Sequence, residues 1–166
     1  MATNWEHLQE GTLVAEINKG PITTSHIMRW SAAVENWHRI HYDQRFATEH
    51  DKLPDVLING SWKQHVLVQL VQDALGDNAW LWKIKFRYKK MDLAGDTILA
   101  QARVVRKTSL DGLGFVTLNI VLLNQHGEES TAGHALGVVE LPGGAKVPYP
   151  FVPKEAYASL QLPQDD

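Results

Sequence analysis

The chain of 166 residues contains no cysteine. That removes disulfides, thiolate nucleophiles and cysteine-ligated metals, and it fits a reducing compartment. Long apolar runs are missing as well: no stretch approaches the ~20 residues that a membrane-spanning helix needs. The N-terminal stretch MATNWEHLQEG lacks a basic segment followed by an apolar run, so no signal peptide is expected and the expected location is the cytoplasm. Positive charge is not in excess. Sixteen Lys and Arg stand against nineteen Asp and Glu, a net charge of −3, which argues against nucleic acid held by overall charge. Proline is scarce in the body of the chain, because five of the seven lie between positions 142 and 163. The length suits one domain, expected over 1–141, followed by a Pro-rich tail over 142–166 that is either poorly ordered or wrapped on the surface.

What is present is strong periodicity. Leu13 to Asn18 alternate as a short strand and Gly20-Pro21 is expected to end it. Thr23, Thr24 and Ser25 offer N-caps, and Ile27, Trp30, Val34 and Trp37 recur at helical spacing, which predicts a helix over about 25–35. Residues 44–58 read as irregular, with one helical turn near Phe46-Ala47. Asn59-Gly60-Ser61 opens the strongest helix, with Asn59 or Ser61 as cap. Trp62, Val66, Leu70 and Ala74 form one stripe, Leu67, Val71 and Leu75 a second beside it, and Lys63 falls among the polar positions. Gly76 ends this helix.

Beyond Gly76 the period changes to two. Trp80, Trp82, Ile84, Phe86 and Tyr88 alternate with Leu81, Lys83, Lys85, Arg87 and Lys89. Further strands follow over 98–105, 115–123 (apolar enough to be central) and 131–141, separated by turn signals. A long apolar helix followed by consecutive hairpin-linked strands implies an antiparallel sheet packed on that helix, an α+β architecture.

The densest polar chemistry lies in Asn36-Trp37-His38-Arg39-Ile40-His41-Tyr42-Asp43. This stretch, with Lys19-Gly20-Pro21-Ile22-Thr23-Thr24 before it and Ile58-Asn59-Gly60 and Leu93-Ala94-Gly95-Asp96-Thr97 after it, resembles the MaoC-like acyl dehydratase and hydratase family of the hot-dog fold. The resemblance covers roughly residues 5–141. It implies a long helix wrapped by a curled antiparallel sheet, a homodimer or higher even oligomer or a mixed oligomer with another such subunit, and acyl thioesters of coenzyme A or acyl carrier protein as substrates, with no separate cofactor. It implies reversible addition of water to a 2-enoyl thioester, giving the (R)-3-hydroxy product. The family's commoner motif has aspartate, asparagine and proline where this chain has Asn36, His38 and Arg39. The present form resembles a subgroup that includes mitochondrial-type 3-hydroxyacyl-thioester dehydratases.

Such a reaction needs a base for water at C3, a proton for C2 and donors for the enolate oxygen. His41 suits proton transfer because imidazole titrates near neutrality. Asn36 can orient the water, although an amide cannot carry a proton as a carboxylate would. Backbone N–H groups at Gly60 and Ser61 are the expected oxyanion donors, favoured by the helix dipole. His38, Arg39 and Asp43 are read as supports of the loop, Asp43 as a cap or a partner of Arg39. His38, His41 and Asp43 lack a metal-binding pattern. Trp37 and Trp62 are candidates for the acyl channel. Lys83, Lys85 and Arg87 are either a solvated strand face or a cationic stripe for coenzyme A phosphates. Two other functions remain open at this point: a hot-dog thioesterase, which would want a carboxylate near the long helix, and a non-catalytic acyl-thioester-binding subunit, which the amide at position 36 keeps in play.

Overall fold

The computed structural model describes residues 5–164. Residues 1–4, the start of the N-terminal stretch read as lacking a leader, and the last two residues of the tail lie outside the described residues. Strand β1 (Leu13–Pro21) leads through a short cap to helix α1 (Thr24–Ala33). An irregular segment with two single turns follows, and then helix α2 (Gly60–Leu75). Four strands complete the domain: β2 (Trp80–Tyr88), β3 (Thr97–Leu110), β4 (Leu113–Leu123) and β5 (Glu129–Glu140). With β1 they form one five-stranded antiparallel sheet in the order β1-β3-β4-β5-β2, with β4 at its centre as its apolar run predicts. Gly20-Pro21 does not break β1 off beforehand but forms its last two residues. It produces a register shift between Asn18 and Pro21, and pairing continues to Pro21 opposite Thr97.

Helix α1 starts with a reciprocal cap, in which Thr23 Oγ1 accepts from His26 N–H and His26 Nδ1 accepts from Thr23 N–H. It ends in a Schellman turn. The N–H of Asn36 donates to Ser31 O at 2.9 Å and that of Glu35 to Ala32 O at 3.3 Å, with Glu35 at φ 52° where glycine is usual. This turn reverses the chain into the 36–43 motif. The helical turn expected near Phe46-Ala47 is a single π turn over Phe46–His50.

One face of the sheet is covered by α2, whose Val66, Leu67, Leu70, Val71 and Leu75 are almost fully buried against Ile98, Ala100, Leu118 and Ile120. Each such aliphatic side chain contributes about 1.5–3 kcal/mol on burial. Two expectations for α2 fail. Lys63 is 3% exposed rather than solvated, because it finds an ionic partner in Asp92. Asn59 occupies the cap position, but its side chain makes no cap bond and turns instead to Ser31, and Ser61 Oγ is taken by Trp30.

The other face carries the tail. Phe151, Tyr157 and Leu160 pack with Leu113, Phe115, Leu136 and Val138, and Trp80 and Trp82 join them. The tail is therefore the second layer of the sheet, and of the two expectations it follows the surface-wrapping one. Strict alternation in β2 also fails. A register shift between Leu81 and Lys83 moves the pattern by one, so Trp80 and Trp82 face the tail while Leu81, Ile84 and Phe86 pack toward α2. No helix among the described residues is long and apolar enough to cross a membrane.

Candidate active site

Two segments that are distant in sequence meet at the start of α2. Residues 56–58 run extended between the motif on one side and the Asp92–Ala94 loop on the other. Leu57 N–H donates to Ile40 O at 2.9 Å, while Ile58 N–H donates to Asp92 O at 2.9 Å and Ala94 N–H to Val56 O at 3.0 Å. Three residues beyond Leu57 the helix begins.

His41 is fixed to this segment and is only 7% exposed. Its Nδ1 lies 2.7 Å from Leu57 O. A carbonyl oxygen can only accept, so Nδ1 carries the proton in the neutral ring and Nε2 presents a lone pair. Burial pushes its pKa below the ordinary value. The Leu57 carbonyl opposes that shift, and the neighbouring His38 adds to it. Burial thus favours the neutral ring, and Leu57 O fixes its tautomer.

The rest of the motif shapes the loop. Asn36 Oδ1 accepts from His38 N–H at 3.2 Å, and among the described residues its Nδ2 has no partner. His38 is exposed; its Nδ1 accepts from Ile40 N–H at 3.4 Å and its ring centroid lies 6.2 Å from that of His41. Arg39 stands 4.3 Å over the Phe46 ring and donates to Asp43 Oδ2 at 2.7 Å. Asp43 Oδ1 accepts from Phe46 N–H at 3.0 Å. That backbone bond first, and Arg39 second, hold the Asp43 carboxyl below its usual range. Asp43 therefore both caps the following turn and pairs with Arg39.

At the helix start, among the described residues, neither the Gly60 nor the Ser61 amide has an acceptor, as the first turn of a helix dictates. The mouth of the turn is built by the buried polar groups of Ser31, Asn59, Lys63 and Asp92 and by the half-exposed Tyr88. Asn59 Nδ2 donates to Ser31 Oγ at 3.1 Å, both residues being at most 1% exposed. Lys63 Nζ lies 2.5 Å from Asp92 Oδ2 and donates to Lys90 O at 3.0 Å. Tyr88 Oη donates to Gly60 O at 2.7 Å, and a Cβ at Gly60 would stand 3.0 Å from the Tyr88 phenol oxygen. The absent side chain at position 60 thus makes room for Tyr88.

Sequence reasoning missed Lys63, Asp92 and Tyr88. A signal for Lys63 existed: it shares the stripe of Leu67, Leu70 and Ala74, and a lysine there needs a buried partner.

A groove of about 340 Å³ adjoins the helix start, walled by Ile22, Trp30, Ala33 and Trp62 with the basic Lys19 and Arg29. Trp30 Nε1 donates to Ser61 Oγ at 2.9 Å, which ties this groove to the amide-bearing turn. Trp62 lines it. Trp37 does not; it is 57% exposed. Lys83 is drawn to the tail, donating to Leu160 O at 2.8 Å and lying 4.3 Å over Trp82, whereas Lys85 and Arg87 are exposed on β2. Among the described residues no three His, Asp or Glu side chains gather as a metal site.

The fold is that of the hot-dog hydratases. An R-hydratase from Pseudomonas aeruginosa, PhaJ1, superposes with a TM-score of 0.74 at 15% identity, over 85% of this chain and 88% of that one. A MaoC-like dehydratase from Rhodospirillum rubrum gives 0.72 at 16%, over 85% and 99%. The ChsH1–ChsH2 complex from Mycobacterium tuberculosis gives 0.67 at 19%, over 80% and 98%. At these identities the likeness is one of fold. No curated protein sequence matches the chain. The family model for hydroxyacyl-thioester dehydratase type 2 matches residues 7–96, more than half of the 166 and a span that holds the 36–43 motif, the segment that fixes His41, the whole of α2 and Tyr88. The chain belongs to the hydroxyacyl-thioester dehydratase type 2 family.

Proposed function

We propose that the protein catalyses reversible hydration of a 2-enoyl thioester to the (R)-3-hydroxyacyl thioester, with coenzyme A or an acyl carrier protein as the thiol. The observation that carries this reading is the buried His41, whose Nδ1–H is committed to Leu57 O beside the open amides of Gly60 and Ser61. In the hydration direction His41 Nε2 takes a proton from water as the water oxygen bonds to C3. The electron pair of the C2–C3 double bond moves onto the thioester, and the amides at the start of α2 hold the resulting enolate oxygen. The proton then goes to C2, and one water has supplied both the hydroxyl and the hydrogen. Asn36, through Nδ2, orients that water.

Thioester hydrolysis has weaker support. Asp92, the buried carboxylate near the helix start, is bound to Lys63, and Asp73 and Asp77 lie at the far end of α2. The lone pair that remains at His41 favours hydration by proton transfer. Structures of relatives include the heteromeric ChsH1–ChsH2 complex, and an even oligomer, homomeric or mixed, is the assembly we propose.

The experiment is incubation of the purified protein with a panel of enoyl-CoAs and saturated acyl-CoAs. Loss of enoyl absorbance is expected, without release of free thiol. His41→Ala is expected to lower kcat by roughly 10² to 10⁴. Free thiol from saturated acyl-CoAs, or near-normal hydration by His41→Ala, would overturn the reading.

A further inference from the structure

The oxyanion amide at Ser61 belongs to the same peptide unit as the carbonyl of Gly60. A trans peptide is planar, with its C=O and N–H pointing in opposite directions. Whatever fixes the direction of Gly60 O therefore fixes the direction of Ser61 N–H. In most helices a side chain at the N-cap steadies the first turn by accepting from its amides. Here that device is absent, because Asn59 is turned into the protein toward Ser31. The amides are left open to a ligand, and Gly60 O, which as the first carbonyl of the helix also serves the Gln64 amide, accepts a second bond from Tyr88 Oη at 2.7 Å. We infer that Tyr88 is a positioning residue: its phenol clamps the Gly60–Ser61 peptide and so aims the Ser61 N–H at the thioester oxygen.

Four further observations bear on the clamp. Gly60 is matched to it, since a Cβ there would stand 3.0 Å from Tyr88 Oη and 3.1 Å from Cζ, tighter than ordinary contact. The phenol ring is itself located, edge-on to Phe86 at 5.5 Å and with the Lys63 ammonium 5.4 Å from its centroid. Tyr88 ends a strand paired with β5, opposite Thr131. Partial burial also raises the phenol pKa, so it stays a donor well above neutrality.

The inference rests on the hydratase reading for its catalytic consequence, and the test separates the two. Kinetics with crotonyl-CoA are paired with the carbonyl stretch of bound butyryl-CoA labelled with ¹³C at the thioester, a probe that binds without reacting. Tyr88→Phe keeps the ring and removes the donor. It is expected to lower kcat by about tenfold or more while KM moves less than about twofold. It is also expected to weaken the downshift of the labelled stretch. Gly60→Ala, which displaces the phenol, should give the same defect, and the double variant should be little worse than either single one. His41→Ala should lose turnover yet keep the downshift, since it does not hold the carbonyl. A Tyr88→Phe protein with wild-type kcat and an unaltered stretch overturns the clamp. A polarised carbonyl without turnover on any enoyl thioester overturns the hydratase reading and leaves the clamp standing. Absence of any bound thioester in the wild type overturns both.

Discussion

The two ends of α2 differ in a way that runs against ordinary helix design. Acidic side chains commonly occupy the first turn and basic ones the last, where they offset the helix dipole. In α2 the first turn has no acidic residue and no side-chain cap, and the last turn has no basic residue. Acids stand instead toward the C-terminal end, at Asp73 and, past Gly76, at Asp77. The N-terminal end is nonetheless the more elaborately built, with Ser31 on Asn59, Asp92 on Lys63 and Tyr88 on Gly60. Those groups fix the turn without occupying its amides. The chain thus leaves the positive end of its longest helix uncompensated and rigid, which is what a site for a developing negative charge requires.

That contrast can be broken most severely by removing half of the buried ion pair. Lys63→Met leaves the Asp92 carboxylate buried without its cation and should cost about 3–5 kcal/mol, read as a lowered midpoint in urea unfolding. Lys63→Met with Asp92→Leu should recover most of that loss. If the single variant unfolds like the wild type, the front of α2 is not held as described.

Giving the front end its missing acid sharpens the comparison. Ser61→Asp keeps an acceptor for Trp30 Nε1 and should raise stability by about 0.3–1 kcal/mol through the helix dipole. The same carboxylate should depress hydration by roughly tenfold or more, by opposing the enolate charge. Higher stability with undiminished turnover would remove the helix start from the site.

The pH response should likewise belong to the front end. The His41 pKa in the folded protein lies below the ordinary 6.5, with burial as the leading cause. An unfolded chain therefore binds this proton first as the pH falls. The stability contributed by neutral His41 should decline once the pH drops below about 6.5 and continue to decline down to the folded value. The acidic limb of the rate profile should sit at that lower, folded value in kcat/KM. A limb above 6.5 would contradict the buried, neutral ring. The smallest effect is expected at the other end: Asp73→Lys should add about 0.3–1 kcal/mol of stability and leave the hydration rate unchanged.

Local periodicity made much of this legible. The stripes of Val66, Leu70 and Ala74 and of Leu67, Val71 and Leu75 give α2 from sequence, and turn chemistry at Ala94-Gly95 and Asn124–Gly127 separates the strands. The phase of β2 was not legible, because Leu81 and Trp82 are both apolar and either register satisfies the pattern until the bulge is seen. Asp43 could be read as cap or partner because both partners lie within four residues of it. Lys63 and Asp92, or Gly60 and Tyr88, are joined across the sheet connection, at separations where no sequence period operates. His41 stood out by its motif, but its tautomer depends on Leu57 O, a backbone atom with no sequence signature.

The tail gives the molecule two different lengths. The polar groups proposed for the reaction all lie at or before Asp92, within the span of the family model. The apolar surface they depend on is not closed until Leu160, where the last buried side chain of the outer layer seats. A gene trimmed to the recognisable motif, or even to the last strand, would yield a chain with every reactive group present and Phe115, Leu136 and Val138 open to water. Such a fragment would be lost to aggregation before its chemistry could be measured.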